Sequence, residues 1–249
     1  MNRKLILIAN SGGEHDSLPG VAVDMRNYQQ FFMKPEGGAL EEKEIHSIID
    51  ISSKVCLHDY IMMTESFCHV DYWLIVFCGH GRVDFNNDTV LCMSDGSEVK
   101  VSEISTWVTN TPCMVIADCC REKEDLADTP SLLCESMFSE TATQLNARAC
   151  RTLYNEKLRQ LPDGLFCTAY AASIGERAGD NDTLGGVYSY NLLKSADDAK
   201  QQLIASGNHV AFFFHIHKAA SPKVRQMRNN RQNPVQDGRT NVIPFVVIA

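Results

Sequence analysis

Two short strings carry the side chains best suited to covalent chemistry: Cys78-Gly79-His80-Gly81 and Asp118-Cys119-Cys120-Arg121. A thiol beside an imidazole is a nucleophile beside its general base. A thiol with an unperturbed pKa of about 8.5 is mostly protonated at neutral pH, so it needs a neighbour to take its proton. A histidine can accept that proton and later return it to a leaving amine. The chemistry within reach of this pair is acyl transfer, of which peptide-bond hydrolysis is one case.

The elements that must position the pair are legible on either side. Tyr72-Trp73-Leu74-Ile75-Val76-Phe77 runs into the first string and Met114-Val115-Ile116-Ala117 into the second. Short apolar runs rich in β-branched and aromatic residues read as buried strands. The His and the Cys then sit just past the C-terminal ends of two strands, the edge at which open α/β sheets bind ligands. Side chains alternate faces along a strand. Asp118 and Cys120 therefore share a face, and Cys119 points to the other as a small core residue. Alternation favours Cys120 over Cys119.

Further strands are predicted over 4–10, 45–50, 165–171 and 242–248, making six with 71–78 and 112–118. Helices are predicted over 20–33, where Val21, Met25, Tyr28, Phe32 and Met33 recur at helical spacing, and over 53–67, about 102–109, 187–193 and 209–228. Asn86-Asn87-Asp88 and Asp95-Gly96 supply turns for a hairpin within 82–100. Leu133, Met137, Thr141, Leu145, Ala149 and Leu153 step by four, which predicts helix there. Alternating strands and helices give a mostly parallel sheet covered on both faces. We treat residues 1–249 as a single domain.

Composition narrows the classes. The net charge of −8 disfavours a nucleic-acid surface. The basic residues Lys223, Arg225, Arg228 and Arg231 read as a solvated helix face. Ten cysteines without C-x-x-C spacing do not suggest a zinc ribbon or a thioredoxin-type motif. No apolar run is long enough to cross a membrane, and Leu5-Ile6-Leu7-Ile8-Ala9 suits a first strand better than a signal peptide. A reducing cytoplasm with free thiols is the expected setting. His215 and His217 lie in an apolar stretch and read as structural rather than metal-binding.

In this context the motifs resemble those of caspase-like (clan CD) cysteine peptidases, in the style of metacaspases, paracaspases and prokaryotic caspases. Phe77-Cys78-Gly79-His80-Gly81 resembles their "SGHG" element and Asp118-Cys119-Cys120 their "D-x-C" element, 120 − 80 = 40 residues apart. Gly20-Val21-Ala22-Val23-Asp24 resembles the start of their first helix. Ala169 to Glu176 resembles "YA-x-x-x-GE", Gly186-Val187-Tyr188-Ser189 resembles "G-x-F-T", and Gln232-Asn233-Pro234-Val235 with Pro244-Phe245 resembles the closing elements. Asp-Cys-Cys-Arg-Glu departs from the metacaspase "D-C-C-H-S-G".

The resemblance implies a three-layer α/β sandwich around a mostly parallel six-stranded sheet. It divides the chain into a large-subunit-like part (1–120), an intersubunit segment (121–163) and a small-subunit-like part (164–249). It implies a cysteine endopeptidase with Cys120 as nucleophile, His80 as base, and the backbone N–H groups of Gly81 and Cys120 as oxyanion donors. No third member of the catalytic group is evident. It also implies an acidic first subsite built from Asp118, Asp24 and Glu176, hence protein or peptide substrates with Arg, or more weakly Lys, before the cut. The approach Ser17-Leu18-Pro19-Gly20 lacks the Arg by which animal caspases select Asp. No cofactor is expected. Calcium activation, known in some metacaspases, has no EF-hand spacing here, and a regulatory protein partner is compatible with the chain. Two other readings remain: a catalytically silent caspase-like adaptor, and a receiver-like domain phosphorylated on Asp118.

Overall fold

The structure is a computed structural model that describes residues 1–13, 16–108, 110–122 and 145–249. Its elements in order are β1 (Arg3–Ala9), α1 (Val21–Met33), β2 (Ile45–Ile49), α2 (Lys54–Phe67), β3 (Tyr72–Cys78), β4 (Gly81–Val83), β5 (Thr89–Cys92), β6 (Glu98–Lys100), α3 (Val101–Trp107) and β7 (Cys113–Asp118). Then follow α4 (Ala147–Leu158), β8 (Phe166–Tyr170), α5 (Val187–Ser206), β9 (Val210–Phe212), α6 (Phe213–Met227), β10 (Val235–Asp237) and β11 (Pro244–Val247).

Six strands form the central sheet in the order β10-β8-β7-β3-β1-β2. All neighbours are parallel except β10, which runs antiparallel to β8. Strand alternation explains the layers. Leu5, Leu7, Leu74, Val76, Met114 and Ile116 face α1, α4, α5 and α6. Ile6, Ile8, Trp73, Ile75, Phe77 and Val115 face α2 and α3. Both sets are buried, as expected for parallel strands covered on two sides. The architecture is the three-layer sandwich that the sequence leads one to expect.

Register decides where the chemistry lands. Cys78 pairs with Asp118, and Ala9 pairs with Cys78. The strands β1, β3 and β7 therefore end level, and the segments after Ala9, Cys78 and Asp118 leave the same sheet edge together. β7 also pairs with β8, so strands from the first 120 residues and from the last 86 (164–249) share one sheet.

Three expectations need correction. The predicted hairpin over 82–100 is a three-stranded antiparallel sheet that begins at Gly81. The sixth strand of the central sheet is β10, not the run 242–248; β11 instead pairs with β9 in a separate two-stranded sheet. The helix expected over 209–228 begins at Phe213, because Val210 to Phe212 are used in that pairing. The apolar stripe is helical over α4, while Leu133, Met137 and Thr141 lie outside the described residues. Arg151 holds α4 to the rest of the fold, with Nη1 donating to Glu44 at 2.7 Å and to Ala39 O at 2.6 Å. No described helix is long and apolar enough to cross a membrane.

Candidate active site

The level strand ends open into a cavity of about 760 Å³ lined by His80, Gly81, Asp118, Cys120, Asp24 and Asp180 among others. His80 and Cys120 each stand two residues beyond paired strand ends, on adjacent strands. Asp118 is 6% exposed and Cys119 1% exposed. Cys119 packs with the α2–α3 layer, the opposite side from Asp118. Both cysteines border the cavity, but Cys119 is buried in the core layer while Cys120 is partly exposed to the cavity.

His80 Nε2 lies 2.7 Å from the backbone oxygen of Asp16 and 3.5 Å from its carboxylate. A carbonyl oxygen only accepts, so Nε2 must carry the proton in the neutral ring, which leaves Nδ1 with the free lone pair. A base with that lone pair can take a thiol proton, and the Asp16 carbonyl then holds the imidazolium. The Asp16 carbonyl is a partner of His80 that the sequence did not reveal. Gly12 makes the contact possible. It has φ +77°, and a Cβ there would lie 2.5 Å from Asp16 O and 2.7 Å from His80 Nε2.

The Cys120 thiol points at Ala178 O, 3.8 Å away. Burial pushes its pKa up, so the resting group is a thiol. Among the described residues no hydrogen bond joins it to His80. Gly81 stands against Cys119: a Cβ on Gly81 would come within 2.5 Å of the Cys119 sulfur.

Three carboxylates converge in the same cavity as Cys120. Asp118 accepts from Ser189 N at 2.9 Å and Ser189 Oγ at 2.6 Å. Burial raises its pKa to about 6. Asp24, on α1, accepts from Gly186 N at 2.8 Å, while its other oxygen is buried with no partner. Burial and then the Asp118 charge push Asp24 well above the usual range. Asp180 accepts from Gly20 N at 3.1 Å; it too is raised by burial, and its charge acts on both other acids. A side chain at Gly186 would collide with Asp118, so bare backbone leaves the well open. The cavity thus gathers three carboxylates, with one Asp24 oxygen left without a hydrogen-bond partner.

Glu176 does not reach this well. Its carboxylate accepts from Ser173 N at 3.1 Å, Asn233 N at 2.7 Å and Asn233 Nδ2 at 2.6 Å. It anchors the loop, and Asp180, four residues on, enters the cavity in its place. Gln232 sets the same loop: its Oε1 accepts from Gly179 N at 2.9 Å and its Nε2 donates to Ala171 O at 3.0 Å. Arg121 ties the strand end to it from the other side. Its Nε donates to Thr89 at 2.9 Å, its Nη1 to Ala172 O at 3.2 Å, and its guanidinium lies 4.1 Å from the Tyr170 ring centre.

A sequence profile described as "Caspase domain" matches residues 2–241. The chain belongs to the caspase-domain peptidase family. It is also similar to a protein named "Paracaspase" from Dictyostelium discoideum, 27% identical over 187 residues. That match covers 70% of this chain and 44% of the relative's length, so the chain spans less than half of that protein. Family membership supports a cysteine-peptidase role and protein substrates.

Other sequence candidates fall elsewhere in this caspase domain. His217 is buried, with Nδ1 at 2.9 Å from Tyr188 OH, and His215 is exposed on the same helix; they do not converge. Among the described residues no group of three His, Cys, Asp or Glu side chains is arranged to hold a metal ion. The reading of Arg228 as part of a solvated helix face does not hold, since Arg228 lines the cavity.

Proposed function

We propose that this caspase domain is a cysteine endopeptidase that cleaves after Arg, and more weakly after Lys. The observation that carries the reading is the buried well of Asp24, Asp118 and Asp180 beside Cys120, with one Asp24 oxygen unpartnered. Buried carboxylates that lack a cation are costly to ionise. A guanidinium entering the well supplies that cation and several donors at once, and can engage carboxylates bidentately, which an ammonium cannot.

With the side chain seated, the scissile carbonyl lies at Cys120. His80 Nδ1 takes the thiol proton, and the thiolate attacks the carbonyl carbon. The backbone N–H groups of Gly81 and Cys120 receive the oxyanion. The imidazolium, held by Asp16 O, returns its proton to the leaving amine. Water then hydrolyses the thioester by the same route. The domain needs no cofactor for these steps and acts on peptides in the cytoplasm.

One observation favours a silent binding module instead: the thiol points at Ala178 O, not at His80. A fluorogenic peptide panel varied at the residue before the cut, with and without calcium, separates the two. We expect Arg peptides to be cut by the wild type and not by Cys120→Ala. Preference for Asp or an apolar residue would overturn the acidic-well reading. Failure of the wild type to cut any peptide of the panel would overturn the enzyme reading, and equal rates with Cys120→Ala would overturn the assignment of Cys120.

A further inference from the structure

The cations near the end of α6 do not share one environment. Lys223 pairs with Asp198 at 2.7 Å. Arg228, just past the helix, lies on the cavity wall with Cys120, Ala178, Gly179 and Asp180. Its side chain packs directly on the Gly179 backbone: a Cβ there would meet Arg228 Cζ and Nε at 2.9 Å. Gly179 thus leaves room for the guanidinium.

The Arg228 Nε is buried with no hydrogen-bond partner, and among the described residues no ion pair reaches its guanidinium. Burial and the neighbouring Arg231 charge disfavour its cationic form. An arginine does not escape by losing its proton. A part-buried cation without an anion is destabilising unless a ligand brings one. The planar fork of a guanidinium matches a carboxylate.

The direction of the peptide places that carboxylate. The leaving amine must lie by His80, which protonates it. The acyl part lies toward the well and the wall 178–180, where Arg228 sits. We propose that Arg228 is a specificity residue, whose guanidinium binds an Asp or Glu side chain of the substrate upstream of the Arg that enters the acidic well. The cavity would then read two charges of opposite sign in one peptide. This rests on the reading of the cavity as a peptide site cut after Arg.

The test uses peptides with Arg before the cut and Asp, Asn, Glu, Gln or Lys at each of the three preceding positions. At one position, wild type should give a KM about ten- to a hundredfold lower for the acid than for its amide, the size expected of a charge-assisted hydrogen bond. Arg228→Gln should erase that ratio. Arg228→Glu should reverse it in favour of Lys, a gain that a misfolded protein cannot produce. The same peptides are titrated by fluorescence anisotropy against Cys120→Ala, so the acid-to-amide ratio is read even if no peptide is cut. Absence of turnover with a retained binding ratio would count against the peptidase reading and for the Arg228 site. Equal KM and equal binding for acid and amide at all three positions, or a ratio unchanged in Arg228→Gln, would overturn the proposal.

Discussion

The floor and the mouth of the cavity are at different stages of readiness. At the floor, Asp118 is held by Ser189 and Asp24 by Gly186, both from the start of α5. These are short bonds between packed elements. At the mouth, His80 is oriented by Asp16 O, but the thiol is protonated and turned to Ala178 O. On the proposed reading the specificity pocket is built in advance, whereas the Cys120 thiol still has to turn toward His80. Such a division lets the binding energy of a substrate cation be used at the reacting atoms, where it raises turnover.

The largest effect expected is at the mouth. Cys120→Ala and His80→Ala should each lower turnover by about a thousandfold or more, while anisotropy shows Arg peptides still bound at the floor. Loss of binding together with turnover would show that floor and mouth are not separable. Survival of activity in Cys120→Ala with loss in Cys119→Ala would reverse the nucleophile assignment.

Asp118→Asn should act on the floor, in opposite directions on activity and stability. Removing one partner of a poorly solvated charge pair costs about 2–5 kcal/mol, so kcat/KM for Arg peptides should fall tens- to thousands-fold. The free protein should become more stable at neutral pH. A carboxyl whose folded pKa is raised from 3.8 to about 6 favours the fold when protonated. That contribution is whole below pH 3.8 and is lost as pH rises through 6, by roughly 3 kcal/mol at most. Thermal melts at pH 4 and pH 8 should therefore show the variant's gain only at pH 8. KM of the wild type should rise as pH falls through about 6, and the variant should lack that inflection. A melting temperature that drops at pH 8 would contradict the stored-charge account.

Smaller effects sharpen the comparison. Gly12→Ala places a Cβ against His80 Nε2 at a left-handed φ, which costs about 1–2 kcal/mol. We expect kcat to fall about tenfold with KM little changed; a change in KM alone would mean that the 10–16 segment serves binding instead. Cys119→Ala should leave most activity and lower stability by about 1 kcal/mol through lost packing, read by denaturant melts. The larger its effect on kcat, the more Gly81 depends on the sulfur beneath it.

How much of this was legible in the sequence varies by element. Strands β1, β3 and β7 announce themselves, because a strand buried on both faces must be apolar throughout. Once their ends are known, His80 and Cys120 follow. β10 does not announce itself: three residues, Val235-Gln236-Asp237, carry too little pattern, and only pairing with β8 makes them strand. Glu176 and Asp180 sit in one polar loop without periodicity. Which of them enters the well is decided by Asn233 and Gln232, more than fifty residues later. Arg228 likewise looked like one cation in a basic run.

By itself the chain's order of residues determined the layered sheet, the strand ends that carry His80 and Cys120, and the expectation that Asp118 and Cys120 share one face. These depend on local periodicity, which neighbouring residues enforce. The tertiary structure alone decided the third acid of the well, the Asp16 carbonyl behind His80 and the turn of Arg228 into the cavity. A backbone carbonyl is present in every residue and so leaves no mark in a sequence. The use of a charged side chain depends on what the fold brings beside it, and here that is a loop from one half of the chain meeting the strand ends of the other.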